Sequence, residues 1–129
     1  MNMTSEILLE RLTVFTQKCR NLTTRLPRNS YNVIYSNQLN RSSSSPGANY
    51  IEAIEASSSK EFSLRLKICR EELKESNYWL VLIKTSNLDD AWIVSEATTL
   101  RGEANELIKI FTASIITSER NQKINKMKK

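Results

Sequence analysis

Three basic side chains near the start of the chain have the spacing of a phosphate-binding row. Arg11, Lys18 and Arg25 are seven residues apart, close to two turns of an α-helix, so on a helix they would form one line. Several cations in a line can contact successive phosphates of a nucleic-acid strand. Arg20 and Arg28 add charge to the same segment. The spacing is equally compatible with a solvated face that forms salt bridges, or with ion pairs between subunits.

A second basic segment ends the chain. Residues 120–129 contain five basic side chains and no acidic one, whereas residues 1–119 contain 14 of each sign and sum to zero. The net charge of +5 therefore belongs to this tail, which we interpret as a solvated helix end or a disordered extension. A nucleic-acid-binding arm is the alternative. The candidate nucleic-acid contacts from both segments are Arg11, Lys18, Arg20, Arg25, Arg28, Lys123 and Lys126.

Catalytic chemistry has few residues to use. The absence of histidine excludes Ser-His-Asp and Cys-His nucleophiles made from this chain, and no CxxC, HExxH, GxGxxG or GxxxxGK[ST] segment is present. Glu71 and Glu75 are close enough for acid–base or divalent-metal chemistry, but they alternate with Arg70 and Lys74 as on a solvated helix face. We predict a protein that is not an enzyme, with no bound metal and no cofactor.

The aromatic and cysteine side chains could be part of the core or part of a functional site. Trp79, beside Tyr78, and Trp92 could stack on bases, but an apolar helix surface favours the core or a subunit interface. Cys19 and Cys69 are fifty residues apart and lie on apolar stripes, so we expect reduced, buried thiols in the cytoplasm.

Asn49 and Glu52 follow two small residues, Gly47 and Ala48, inside an otherwise helical run. Small residues let two backbones approach closely, which would partly bury this polar pair. We expect a hydrogen-bond network that fixes helix register, with a functional site as the alternative.

Periodic apolar residues predict the elements that position these groups. Two glycines and two prolines are too few for many hairpins. Spacings of four and three predict helices over about 5–24, 29–57, 60–85 and 90–118, with 120–129 as the tail. The fold class is therefore all-α, an up-down four-helix bundle over residues 1–119. Neither a signal peptide nor a membrane span is recognisable.

The second helix contains an ambiguity and the third contains the strongest pattern. Residues 42–47 read as a linker, yet the helical pattern resumes at once, so we favour one long helix loosened near Pro46 over two helices.

The third helix has a regular apolar stripe and a second apolar face that would contact another neighbour or subunit. The first stripe is Phe62, Leu66, Cys69, Leu73, Ser76, Leu80 and Ile83.

Two segments together resemble a known family. The first has Arg41, four serines and then Gly47-Ala48-Asn49 with Glu52. The second begins at Glu61-Phe62 and continues to Glu72, Glu75 and Tyr78-Trp79-Leu80. Both are similar to motifs of the four-helix-bundle proteins encoded within intervening sequences of bacterial 23S ribosomal RNA genes. The resemblance covers about residues 8–118.

The resemblance implies a homopentamer of four-helix bundles. For one member, the accessory variability protein of diversity-generating retroelements, it implies binding of nucleic acid and of a reverse transcriptase. We therefore expect a non-enzymatic, oligomeric accessory protein that binds RNA or DNA. The alternative is a protein-interaction scaffold, for example a reverse transcriptase accessory protein, without a nucleic-acid role. The neutral charge of residues 1–119 favours this alternative.

Overall fold

Four helices account for most of the computed structural model, which describes residues 3–128. They are α1 (Met3–Thr24), α2 (Ser30–Ile54), α3 (Ser59–Ser86) and α4 (Ala91–Met127). No strand occurs among the described residues. The predicted all-α architecture of four helices is confirmed.

Side-chain caps begin three of the helices. Asn29, Ser58 and Asp90 have extended backbones, and their side chains accept hydrogen bonds from the backbone N–H three residues later. Such caps satisfy N–H groups that have no partner within the helix. The short segments between the helices therefore end each helix and begin the next, which folds the chain back on itself.

Each helix runs antiparallel to its neighbours. Residue numbers rise along one helix as they fall along the next, in contacts between α1 and α2, α2 and α3, and α3 and α4. α1 also packs on α4, because Arg11 contacts Glu103 and Arg25 contacts Trp92. The four helices thus form a closed up-down bundle around one core.

The apolar stripes of the sequence meet in that core. Leu66, Cys69, Leu73, Leu80 and Ile83 of α3 are each no more than 1% exposed. The second apolar face of α3 is only partly covered. Its Leu64 and Tyr78 are 58% and 56% exposed, respectively, while Trp79 packs at the edge of the core.

Pro46 lies inside a continuous α2. Proline has no N–H to donate to the carbonyl four residues earlier, and this costs about 3 kcal/mol in an ordinary helix interior. Here neighbouring helices bond to the carbonyls of this turn. Thr16 Oγ1 donates to Ser43 O at 2.6 Å, and Cys69 Sγ donates to Pro46 O at 3.3 Å. Pro46 is also buried, so packing and these two bonds hold α2 against its neighbours on either side of the missing hydrogen bond.

The basic tail is largely helical. α4 continues from the bundle through Met127, with Lys128 as its cap, whereas the sequence pattern placed the helix end near residue 118. A helix of 37 residues is about 55 Å long. Lys129 lies outside the described residues. None of the helices between residues 3 and 128 is long and apolar enough to cross a membrane.

Candidate functional site

Two of the three cations in the helix 1 row contact α4. Arg11 donates two hydrogen bonds to the Glu103 carboxylate, from Nε at 3.0 Å and from Nη2 at 2.6 Å. The hydrogen bonds that Arg11 donates to Glu103 raise the pKa of Arg11, although burial opposes the shift. The guanidinium of Arg25 lies 3.8 Å from the ring centroid of Trp92. A phosphate would have to displace the Glu103 carboxylate to use Arg11, whereas Arg25 is exposed and lies against the Trp92 ring.

The remaining helix 1 candidates do not extend the row. Lys18 lines a cleft of about 330 Å³ between α1 and α4, where Glu103 and Glu106 also lie. Arg20 and Arg28 are exposed. Arg28 borders a different cleft, beside the turn between α1 and α2. Carboxylates thus share the surface on which a row of phosphates was expected.

The last turns of α4 bring the tail lysines against the start of α3. Gln122 Nε2 donates to Ser59 O at 3.0 Å and to Ser63 Oγ at 2.8 Å. Ser63 Oγ is in turn 2.6 Å from Ser118 Oγ. These contacts fasten the end of α4 to α3, which holds Lys123 and Lys126 beside the first turns of α3.

Four lysine side chains line a groove between α3 and α4. Its volume is about 380 Å³. Its lining contains four lysines and one glutamate, which leaves a formal charge of +3. We call it the basic groove, and its lining residues are Lys60, Ser63, Leu64, Lys67, Glu119, Gln122, Lys123 and Lys126.

The sequence predicts two of the four lysines that line the groove. Lys123 and Lys126 are among the candidate contacts predicted from the sequence, whereas Lys60 and Lys67 are not. Lys60 and Lys67 are seven residues apart, the same spacing as in the helix 1 row, and this spacing is the sequence signal for them. Their convergence with the tail required α4 to continue as a helix, which apolar periodicity did not indicate.

The motif residues of α2 and α3 form a polar network between the two helices. Arg41 bonds to Glu72 at 3.1 Å and also pairs with Glu75. The hydrogen bond with Glu75 raises the pKa of Arg41. Asn49 Oδ1 accepts a hydrogen bond from Arg65 Nη1 at 3.1 Å. These contacts link α2 to α3 at two levels, as expected for groups that fix helix register.

The amide of Asn49 and the small residues around it differ in part from expectation. Asn49 Nδ2 donates to Ser45 O and Ser45 Oγ, which satisfies the half-buried amide within α2. Ala48 and Glu52 are exposed, so the expected burial of Glu52 is wrong. A methyl group at Gly47 would lie 4.0 Å from Leu9 Cδ1, an ordinary contact, so no close backbone approach requires glycine there.

Glu61 and Phe62 mark the beginning of α3. The Glu61 carboxylate accepts hydrogen bonds from the N–H and the hydroxyl of Ser57, while Glu61 N–H donates to Ser58 Oγ at 3.1 Å. This reciprocal arrangement resembles a capping box. Phe62 is half-buried against the core. Both motif residues therefore define where the helix starts and how it docks.

A family model described as 23S rRNA-intervening sequence protein matches residues 7–113. The chain belongs to this family. A crystal structure of a protein of unknown function from the S23 ribosomal protein family of Bacteroides thetaiotaomicron is similar, with a TM-score of 0.76 and 26% sequence identity. The similarity covers 88% of this chain and 98% of that one. A comparison with curated proteins gives no match.

The family match includes the polar network but only part of the basic groove. Arg41, Asn49 and Glu72 lie within residues 7–113, so the network belongs to the part of the chain that defines this intervening-sequence protein. Lys60 and Lys67 also lie within it, whereas Lys123 and Lys126 lie beyond it. The matched region therefore contains the whole network, whereas the groove is completed by residues that follow this region.

Four aromatic side chains form a cluster on the α2–α3 side of this family member. Tyr31, Tyr35, Trp79 and Tyr78 make successive ring contacts with centroids 5.4–6.2 Å apart. We call them the aromatic patch. Tyr31 and Tyr78 are 43% and 56% exposed, respectively. Trp79 Nε1 is buried and donates to none of the described residues. The exposed rings of Tyr31 and Tyr78 give this side of the bundle an apolar surface that suits contact with another molecule.

The two cysteines have the environment of core residues. Both are buried and free, and burial raises the pKa of each thiol to about 12. A thiol is reactive as the thiolate, so neither side chain is activated. Within residues 3–128 no group of histidine, cysteine or acidic side chains is arranged to hold a metal ion.

Proposed function

We propose that this 23S rRNA-intervening sequence protein is a non-enzymatic accessory protein that binds nucleic acid through the basic groove. The observation that supports the proposal is the convergence of Lys60, Lys67, Lys123 and Lys126 from two helices on one groove. Phosphate contacts of this kind neutralise charge and release counterions, which supplies most of the affinity in sequence-independent binding. In this proposal the nucleic-acid interface lies between α3 and α4. The interface expected from the sequence was the helix 1 row, beside the contact between α1 and α4.

Salt dependence tests the mechanism directly. We would measure the affinity for a fluorescein-labelled RNA hairpin by anisotropy between about 50 and 200 mM salt, where each phosphate contact contributes a slope of about 0.7–0.9 in log K against log salt. The double variant Lys123→Ala/Lys126→Ala should lose two phosphate contacts, which should reduce the slope by about twice the value for one contact. Arg20→Ala/Arg28→Ala is the matched control, since it removes the same charge from exposed positions near helix 1. A loss confined to the control would place binding on helix 1 and overturn the proposal.

We further propose that the protein assembles into a homopentamer. The aromatic patch supports self-association, because large exposed aromatic surfaces become favourable when a partner covers them. Light scattering should give a mass near five protomers, and Tyr78→Glu should reduce it because the substitution brings a charge into the contact. A monomer mass for the unmodified protein would remove this part of the proposal.

A protein-interaction scaffold, such as a reverse transcriptase accessory protein, is the second candidate function. The same aromatic patch favours it, since the patch fits a protein surface as well as a second copy. Pull-down of a purified reverse transcriptase by unmodified protein, Tyr78→Glu and Lys123→Ala/Lys126→Ala would separate the two functions. The scaffold predicts that only Tyr78→Glu loses the partner. Loss of the partner with the lysine variant would instead indicate contact through the groove.

A further inference from the structure

The basic groove already contains an anion. Glu119 is the one acidic residue in its lining, and its Oε1 is 2.6 Å from Lys67 Nζ. The side chains of Lys67 and Glu119 are 45% and 46% exposed, respectively, so the pair sits at the mouth of the groove and can separate without disturbing the core.

Several cations act on this carboxylate. The hydrogen bond from Lys67 is the main reason that the pKa of Glu119 is lowered, followed by the charge of Lys67 and then by the charges of Lys123 and Arg70. Glu119 therefore remains ionised at neutral pH. It meets the same charges that a phosphate in the groove would meet.

We infer that Glu119 is an internal competitor for the phosphate position at Lys67 and that it sets the affinity of the basic groove for a phosphodiester backbone. The inference rests on the proposed function. A phosphate oxygen can take the place of the carboxylate oxygen at Lys67 Nζ, since both are anionic acceptors of a charge-assisted hydrogen bond. To do so it must displace Glu119, which then turns towards solvent.

The competition determines which ligands bind. One phosphate gains a single contact at Lys67 and loses the Lys67–Glu119 pair, so little net stabilisation results. A strand that also reaches Lys60, Lys123 and Lys126 gains contacts that no carboxylate occupies within the groove. The groove should therefore select a nucleic-acid strand over inorganic phosphate.

A matched control is available on the same helix. Glu106 pairs with Lys109 at 3.6 Å, and both side chains are more than half exposed. It lies in the cleft between α1 and α4, away from the groove. Glu106→Gln and Glu119→Gln change the net charge equally, so a difference between them reports position and not total charge.

The experiment measures anisotropy of the labelled RNA hairpin with unmodified protein, Glu119→Gln, Glu106→Gln and Glu119→Gln/Lys67→Met. Freeing one phosphate contact should raise the affinity of Glu119→Gln about 5-fold near 0.1 M salt and steepen the slope by about 0.7–0.9. Glu106→Gln should do neither, and Lys67→Met should abolish the gain. Circular dichroism confirms that each variant is helical. The affinity for inorganic phosphate, measured by calorimetry, should stay far below that for the hairpin.

The outcomes separate the inference from the proposed function. If the hairpin binds through the groove lysines but Glu119→Gln behaves as Glu106→Gln does, the inference is wrong and the function stands. If only Glu119→Gln binds the hairpin, Glu119 prevents binding in the unmodified protein, and the inference is supported. If no variant binds the hairpin, or binding ignores the groove lysines, both are wrong.

Discussion

Arg11 on α1 and Glu103 on α4 form a two-point ion pair across the bundle, with N–O distances of 3.0 and 2.6 Å. The pair occupies the first cation of the helix 1 row and ties together the two helices at the ends of the chain. Its side chains are 41% and 31% exposed, respectively, so solvent weakens the attraction.

We therefore expect a small coupling between Arg11 and Glu103. A double-mutant cycle with Arg11→Ala and Glu103→Ala, followed by urea unfolding, should give a coupling energy of about 0.5 kcal/mol. The more exposed pair Glu106–Lys109 is the control and should give almost none. Arg11→Ala should leave hairpin affinity unchanged under the proposed function. A large loss of hairpin affinity would return the interface to helix 1.

More of the fold than of the site could be predicted from the sequence. Buried positions on a helix recur with the helical period, whereas the partner of a charged side chain leaves no such pattern in the sequence. The stripe Leu66, Cys69, Leu73, Leu80 and Ile83 is buried because each member points to one side of a helix. Nothing local to helix 1 indicates that a carboxylate and an indole from α4 face its cations. These partners are about 70–90 residues away in the chain, and only the bundle brings them together.

For a different reason, the sequence leaves open whether the tail is a helix end or a disordered extension. Residues 120–127 have no apolar stripe, so periodicity gave no reason to continue the helix. Gln122 bonds to Ser59 and Ser63 of α3, which holds this part of the helix against the bundle. Pro46 shows the opposite case, in which a local helix breaker was correctly interpreted as lying within one helix because the apolar pattern continued beyond it.

The buried amides of Asn32 and Asn87 provide a second prediction. Each donates to the other's Oδ1, at 3.1 and 3.0 Å, which ties the start of α2 to the end of α3. Asn32 also donates to Pro27 O at 2.8 Å. Asn32→Ala would leave buried polar atoms without partners and should lower the free energy of unfolding by about 1–3 kcal/mol.

The control for that prediction is Asn37→Ala, the same substitution at an exposed position of the same helix. It should change stability little, because no buried group loses a partner. Chemical denaturation of both variants gives the comparison. Equal stability of Asn32→Ala and Asn37→Ala would show that the paired amides do not stabilise the fold.

Gly102 provides a stabilising prediction. It lies in the interior of α4, and a methyl group added there would have no atom within 4 Å. Because alanine loses less backbone entropy than glycine in a helix, Gly102→Ala should raise the free energy of unfolding by about 0.5–1 kcal/mol. Thermal unfolding at several protein concentrations measures the change. A lower stability would contradict the prediction and would indicate that another subunit packs on this face.

The buried thiols predict how stability depends on alkaline pH. Burial raises the pKa of Cys19 and Cys69 from an ordinary 9.0 to about 12. Above pH 9 the unfolded chain releases these protons while the folded chain retains them. The free energy of unfolding therefore falls as pH rises from 9 towards 12. Each buried thiol contributes its full stabilisation only below the ordinary pKa of 9.0.

Comparison with Cys19→Ala/Cys69→Ala isolates this effect, since the two proteins have all other ionisable groups in common. Between about pH 8.5 and 10 the unmodified protein should lose roughly 1 kcal/mol per thiol more than the double variant. Urea unfolding at each pH gives the two curves. The slopes are compared and not the absolute stabilities, because removing Cys69 also removes its bond to Pro46 O. Parallel curves would mean that the thiols ionise as easily in the folded protein as in the unfolded chain, and the core would then have to admit water around them.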